Sequence, residues 1–308
     1  MRSARVESPE LVVPAFTGMA LDRAQTERKD PDWVRGRLQA PTSRVAAASA
    51  EGVLLDGHTV ARRPLPPDGP GDGEPILLGL EHGAALFALD LEALKPDQAA
   101  RLRRDGRVVG LREAASELAL SEGGLAAYVV ALLNWHRRHR FCANCGGDTV
   151  AVEAGYARRC VRCQEMHFPR TDPVAIMLVE SQGRLLLGRR AGWPRGRYSV
   201  LAGFVSPGES AEEAVLREVR EEAGIDAYRP RFVASQPWPF PSSLMLGFEA
   251  WADGGEPVNH DGELDDVGWF SHLQVSAAAS GESTELMLPP PISIARFLIE
   301  RWLRRQGR

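Results

Sequence analysis

The residues best equipped for chemistry lie in the stretch GFVSPGESAEEAVLREVREEAGI, residues 203–225. Glu218, Glu221 and Glu222 stand at i, i+3 and i+4, so on a helix three carboxylates share one face. Like charges on adjacent turns repel, and an ordinary surface helix spreads basic residues among them. Only Arg217 and Arg220 are nearby, and both are expected to lie outside the Glu face. Clustered hard oxygens are what Mg²⁺ or Mn²⁺ requires, and such an ion removes the repulsion. For three glutamates at this spacing alone, a solvated acidic face is the simpler account. With Gly203, Gly208, Glu209 and Arg217 in register, a metal site is the better one.

A second constellation is made of sulfur. All four cysteines fall in CANC and CVRC, as Cys142, Cys145, Cys160 and Cys163, with 14 residues between the pairs. Four thiolates suit one tetrahedral Zn²⁺ of the ribbon type, and a closed Cys₄ set leaves no open position for catalysis. The rival account is two redox or disulfide pairs, but no thioredoxin-like βαβ pattern surrounds them. A ribbon can also bind nucleic acid, and HRRHR at 136–140 flanks this one. A solvated helix end is the commoner reason for such a run.

The third stretch is SQPWPFPSS, residues 235–243. Proline fixes φ and gives no ladder hydrogen bond, so this run is neither helix nor central strand. It should present Trp238 and Phe240 on a rigid loop with Pro237, Pro239 and Pro241. Gln236, Ser242 and Ser243 add hydrogen-bonding groups. Preordered aromatic surfaces hold flat ring systems at low ordering cost. A structural turn whose two rings fill core is the alternative.

These stretches need elements to position them. Ser210 and Glu213 form a capping box, and Gly224 supplies a left-handed stop, so a helix is expected over 210–223. Val215, Leu216, Val219 and Ala223 give it an apolar arc. PVAIMLVE and RLLLGRR read as a hairpin, YSVLAG as a short strand, 231–236 and 244–252 as strands, and 292–305 as a closing helix. A helical run at about 123–136 leads into the cysteine segment. PILLGL and AALFALDL read as strands, and residues 63–75 as a Pro/Gly connector. Otherwise the first hundred or so residues carry no interpretable motif.

The chain has 308 residues, 44% of them hydrophobic, and a net charge of −4, which gives no sign of wholesale nucleic-acid or membrane binding. Lys29 and Lys95 are the only lysines; arginine carries the remaining positive charge and suits bidentate phosphate contacts. MRSARVESPELVV lacks a signal-peptide apolar region, and GLAAYVVALLNW at 124–135 is too short to span a bilayer. A cytoplasmic protein is expected, in which clustered cysteines bind metal.

The stretch 203–225 resembles the Nudix box, G-x5-E-x7-R-E-U-x-E-E-x-G-U with U aliphatic. Gly203, Glu209, Arg217, Glu218, Val219, Glu221, Glu222, Gly224 and Ile225 fill its fixed positions. SQPWPFPSS fits S-Q-P-W-P-F-P-x-S, the signature of the NADH pyrophosphatase, or NudC-type NAD-capped RNA hydrolase, branch of the Nudix superfamily. That branch also carries a four-cysteine ribbon before the Nudix domain. The resemblance implies an α+β protein, its Nudix fold a mixed β-sheet between helices. The implied domains are 1–136 (a divergent mixed α/β N-terminal domain), 137–170 (zinc ribbon) and 171–308 (Nudix hydrolase domain).

The implied function is metal-dependent hydrolysis of NAD(H) to NMN(H) and AMP, with removal of NAD caps from RNA. A preference for ADP-ribose or another nucleoside diphosphate derivative is the near alternative. A non-catalytic zinc-ribbon RNA-binding protein is the distant one. The resemblance assigns the Mg²⁺ or Mn²⁺ ligands to the Ala202 carbonyl, Glu218, Glu221, Glu222 and Glu263. Glu222 also handles the attacking water, Arg217 positions the glutamates, and Glu209 steadies the loop. Phe204, Ala295, Arg112 and the proline loop are implied substrate contacts. So is Phe168, which reaches a partner's site across a homodimer interface.

Overall fold

In the strand Asp172–Ser181, successive side chains leave in opposite directions, and both directions are buried. Ala175, Met177 and Val179 pack with Val215, Val219 and Ala223 of the helix Ala211–Ala223. Ile176 and Leu178 pack with Leu298 and Trp302 of the helix Ile294–Gln306. One apolar strand thus forces a sheet covered by helices on both faces, as the sequence leads one to expect. The computed structural model describes residues 14–69, 73–259 and 262–306. The N-terminal stretch read for a signal sequence, and residues 70–72 of the Pro/Gly connector, lie outside them.

Two compact units divide the chain. One holds residues 1–15, 173–236 and 245–308; the other holds 16–172 and 237–244. In the first, the strands run in the order Ala227–Trp238, Ser243–Ala252, Asp172–Ser181, Arg184–Arg190, Leu264–Ser271, and Leu201–Phe204 also pairs with Asp172–Ser181. The expected hairpin is present, with Ser181 opposite Arg184. The strand read in YSVLAG begins later, at Leu201, and within that stretch an isolated bridge from Ser199 to Gly188 precedes it. The strand expected over 231–236 runs from Ala227 to Trp238 and takes in Pro230 and Pro237. It lies at the sheet edge, the position where strands tolerate proline. Glu249 in the neighbouring strand is 1% exposed and receives Arg301 at 3.1 Å and Arg305 at 2.7 Å, which latches the last helix to the sheet.

The second unit contains a seven-stranded sheet in which Arg44–Ala48 pairs parallel with Ala84–Asp90. The helix expected at about 123–136 spans Leu120–Arg138. After it come three short strands, Thr149–Val152, Ala157–Cys160 and Met166–His167. His136, near the end of that helix, is clasped in its neutral form. Its Nε2 lies 2.7 Å from the Gly155 carbonyl, and Arg158 Nη1 lies 2.8 Å from its Nδ1. Burial, with Arg158 adding repulsion, pushes its pKa down to about 4. A depressed pKa means that stability is present above about 6.5, the unfolded value, and is lost as pH falls towards 4. Between pH 7 and pH 5 this residue should cost about 2 kcal/mol. Urea unfolding at the two pH values should show that loss in the wild type and a smaller one in His136→Gln.

Candidate functional site

The carboxylate helix starts and stops as its sequence dictates. Ser210 accepts the Glu213 N–H at 3.2 Å, Glu213 accepts the Ser210 N–H at 2.7 Å, and Gly224 sits at φ 66°. The three glutamates occupy different environments. Glu222 is 1% exposed and points to the buried side, Glu218 is mostly buried, and Glu221 is half exposed.

Arg217 does not lie apart from them, contrary to the expectation from spacing. Its Nη1 donates to Glu218 and Glu221 at 2.7 Å each, Glu221 being its i+4 neighbour on the same helix face. Its other nitrogens form a fork on Glu209 at 2.7 and 2.9 Å, and Nη2 also reaches the Phe204 carbonyl at 2.9 Å. Glu209 in turn accepts the Ser206 N–H at 3.0 Å. The loop before the helix is thereby tied to the helix through one arginine. Arg217 holds Glu209 below the usual carboxylate range, while burial pushes Glu218 above it.

Ala202 and Gly203 lie on the strand Leu201–Phe204, against this helix. A Cβ on Gly203 would fall 1.8 Å from Glu218 Cδ and 1.9 Å from its Oε1. Only glycine lets the carboxylate rest on the strand backbone. The carbonyl of Ala202 and the carboxylate of Glu222 converge from strand and helix, since Arg190 Nη2 contacts them at 3.0 and 3.6 Å. Glu263 approaches the same guanidinium at 4.0 Å. Its neighbours are engaged elsewhere: Asp265 pairs with Arg189 at 3.0 Å, and Asp266 accepts the Tyr198 hydroxyl. Glu263 is therefore the acid of GELDD that faces the cradle.

A main-chain carbonyl and carboxylates of graded burial make a hard-oxygen set that suits Mg²⁺ or Mn²⁺. The space cleared by Gly203 fits that use. Gly203→Ala should displace Glu218 by an ångström or so and lower kcat by about 10²-fold, while zinc content and fold are retained. Steady-state kinetics and circular dichroism check this.

The proline loop has a partner that its sequence does not announce. Phe16, 2% exposed, meets Trp238 at 6.0 Å and Phe240 at 6.1 Å between ring centroids, both edge-on. Trp238 and Phe240 are themselves 4.9 Å apart, and Arg112 lies 3.9 Å above the Phe240 ring. Arg112 and the loop, read separately in the sequence, are brought together by a cation–π contact. Phe16 could not be found from spacing, for it lies more than two hundred positions away with no motif around it. Ser242 bonds Asp172 at 2.7 Å.

Gln236 differs from expectation. It is wholly buried, donates to the carbonyls of Ala15 and Ile292, and accepts the Ile294 N–H at 2.7 Å. Its amide is used up inside the fold, where it anchors the start of the last helix. Ala295 is also in the core, 4% exposed. Phe204 and Phe168 are the reverse, 62% and 61% exposed.

In the cysteine cluster the four Sγ atoms lie within 4.8 Å of one another, with no disulfide formed. Two of the separations, Cys142–Cys163 and Cys145–Cys160, are 3.6 and 3.5 Å. Four sulfurs at about 2.3 Å from one zinc would stand about 3.8 Å apart, so the set fits the ion. Gly146, at φ 71°, makes the first turn. The N–H groups of Arg162 and Cys163 point at Cys160 Sγ at 3.4 Å, and His167 Nε2 lies 3.2 Å from Cys142 Sγ. Such contacts orient thiolates and temper their charge. The Gly147 N–H, aided by Cys163, lowers Cys145 to about 6. Among the described residues this is the one group of three or more His, Cys, Asp or Glu ligand atoms so gathered. The glutamates are arranged instead around Arg217 and Arg190.

Three family models match the chain one after another. The NUDIX domain model matches residues 169–287, the NADH pyrophosphatase zinc ribbon model 137–168, and the NADH pyrophosphatase-like rudimentary NUDIX domain model 29–135. The chain is 37% identical over 311 residues to the NAD-capped RNA hydrolase NudC of Mycobacterium bovis, covering 94% of this chain and 95% of that one. It is 38% identical over 292 residues to the NudC of Stutzerimonas stutzeri, with 93% and 96% covered. Human NAD-capped RNA hydrolase NUDT12 is 40% identical over 199 residues, 61% of this chain and 43% of that protein. With a complete box folded into a glycine-cleared cradle, a closed four-sulfur cluster and likeness along nearly its whole length, the chain belongs to the NADH pyrophosphatase family of Nudix hydrolases.

Proposed function

We propose that the chain hydrolyses the pyrophosphate of NAD(H), giving NMN(H) and AMP, and removes NAD caps from RNA 5′ ends. The observation that carries the chemistry is the cradle in which Ala202, Glu222 and Glu263 converge beside a carboxylate seated on Gly203. The relatives' activity on NAD-capped RNA supports the substrate, as does the aromatic loop with Arg112 over Phe240.

Glu218, Glu221, Glu222, Glu263 and the Ala202 carbonyl are the ligands assigned to Mg²⁺ or Mn²⁺. Bound there, the metal would neutralise charge on the phosphoryl oxygens and lower the pKa of an attacking water. Glu222 orients that water and accepts its proton at a carboxylate oxygen. Arg217 fixes the Glu218 and Glu221 carboxylates, and its fork on Glu209 keeps the preceding loop in place. Trp238, Phe240 and Arg112 present surface for a flat ring. A cytoplasmic setting, where thiols stay reduced, suits a cluster that binds metal through cysteine.

Two chains act together in this reading. Phe168 of one chain completes the ring pocket of the other against Phe204, which accounts for two phenylalanines left open to solvent within a single chain. Mixing Phe168→Ala with Glu222→Gln chains should then restore activity, because one site of the heterodimer carries both defects and the other carries neither. Verified heterodimers without recovery would remove the shared pocket. The substrate itself is tested by product analysis on NADH, NAD-capped RNA and ADP-ribose in parallel. Faster turnover of ADP-ribose than of either NAD-containing substrate would overturn the assignment.

A further inference from the structure

One cation at the cradle serves none of these steps. Arg190 ends the strand Arg184–Arg190, and the ladder to Leu264–Ser271 shifts register between Arg189 and Arg190. Bulges bend strands and re-aim side chains, and they are frequent beside active sites. Here Asp265 drops out of the ladder and pairs with Arg189. Arg190, the next residue, turns its Nη2 onto the Ala202 carbonyl at 3.0 Å, Glu222 Oε1 at 3.6 Å and Glu263 Oε2 at 4.0 Å. Those three oxygen groups are among the five assigned above to the divalent ion.

We propose that Arg190 is an internal competitor for the catalytic metal, a positioning residue that must swing out before the ion can load. The inference rests on the metal-site reading of the cradle. A divalent cation set among these oxygens would stand within a few ångströms of the Arg190 guanidinium, and like charges so close repel. Exposure decides which of the partners moves. Glu222 is 1% exposed, and a carboxylate so buried demands a cation. Arg190 is 48% exposed on a flexible stem, so its head can pass into water. Arg217 cannot play this part, since Glu209, Glu218, Glu221 and the Phe204 carbonyl hold all its nitrogens. Arg190 thus keeps the ligand set neutralised and in place, and the metal takes over oxygens that are already gathered. The same arrangement leaves the wild type with weaker metal affinity than its donors alone would give.

The test is Mn²⁺ binding to the full-length protein without substrate, followed by the free-ion EPR signal and by calorimetry. Arg190→Gln keeps most of the side chain's length and removes its charge. It should bind Mn²⁺ more tightly than wild type by about fivefold or more, the low end of ordinary coupling between sites. With zinc retained and no other divalent ion added, its Tm should fall below that of wild type, and saturating Mn²⁺ should raise it by more. Should Arg190→Gln not fold, Arg190→Lys retains the charge but loses the fork, and should tighten binding less, in the same direction. Glu222→Gln run alongside separates the two readings. Undiminished Mn²⁺ binding in that variant overturns the metal site and the competition with it. Lost binding there, with unchanged or weaker binding in the Arg190 variant that folds, overturns the competition alone.

Discussion

Glu222→Gln abolishes turnover, lowering kcat by at least about 10³-fold, while the protein stays folded and still binds dinucleotide. The expectation comes from burial. Glu222 is 1% exposed and its neighbours on the helix, Val219 and Ala223, are fully buried, so its side chain has little freedom to change pose. Glutamine fills the same volume and keeps the contacts of shape. It loses the charge that holds a divalent ion and the basicity that takes a proton from water. Removing a buried charge also removes a desolvation cost, so Tm should be unchanged or higher. Rapid-quench kinetics on NADH with Mn²⁺ present, alongside equilibrium binding of NADH, make the check. Activity within a few-fold of wild type would show that the proton goes elsewhere.

The helix that carries Glu222 was legible because local rules fix it. Capping by Ser210 and Glu213, the stop at Gly224 and the apolar positions all act within a few residues. The same holds for the four cysteines, whose turns bring sulfurs together without help from distant chain. What the sequence hid depends on long-range geometry. Arg217 is the exception, since its pairing with Glu221 is a local i,i+4 contact that the spacing does contain. Gln236 reads as a ligand-binding amide, yet its three partners come from Ala15, Ile292 and Ile294, segments that only the folded chain assembles. Phe16 and Arg190 were silent for the same reason, one placed by packing and the other by a register shift. Even the strand through Pro237 depends on its edge position, a property of the sheet and not of the segment.

Stripping zinc should have the largest effect on stability. The three ribbon strands span four, four and two residues, too little sheet to stand without another source of stability. Closed Cys₄ sites supply about 10 kcal/mol or more of apparent binding free energy at neutral pH, and that free energy is folding free energy. Within the ribbon, Cys142 and Cys160 are buried, so a sulfur there cannot be exchanged for water without opening the turn. One zinc per chain is therefore expected by elemental analysis of the purified protein. A strong chelator, or Cys160→Ser, should unfold the ribbon and lower Tm by many degrees. The chain has only four cysteines, so thiol titration gives a clean count. With zinc bound they should react slowly; after chelation all four should react fast. The Arg158 and His136 contacts tie ribbon folding to the end of the long helix, so loss of zinc should also raise amide exchange around His136. Protein purified under reducing conditions with no zinc, or with a reversible disulfide in place of the cluster, would overturn the structural role and return the two CxxC pairs to the redox reading.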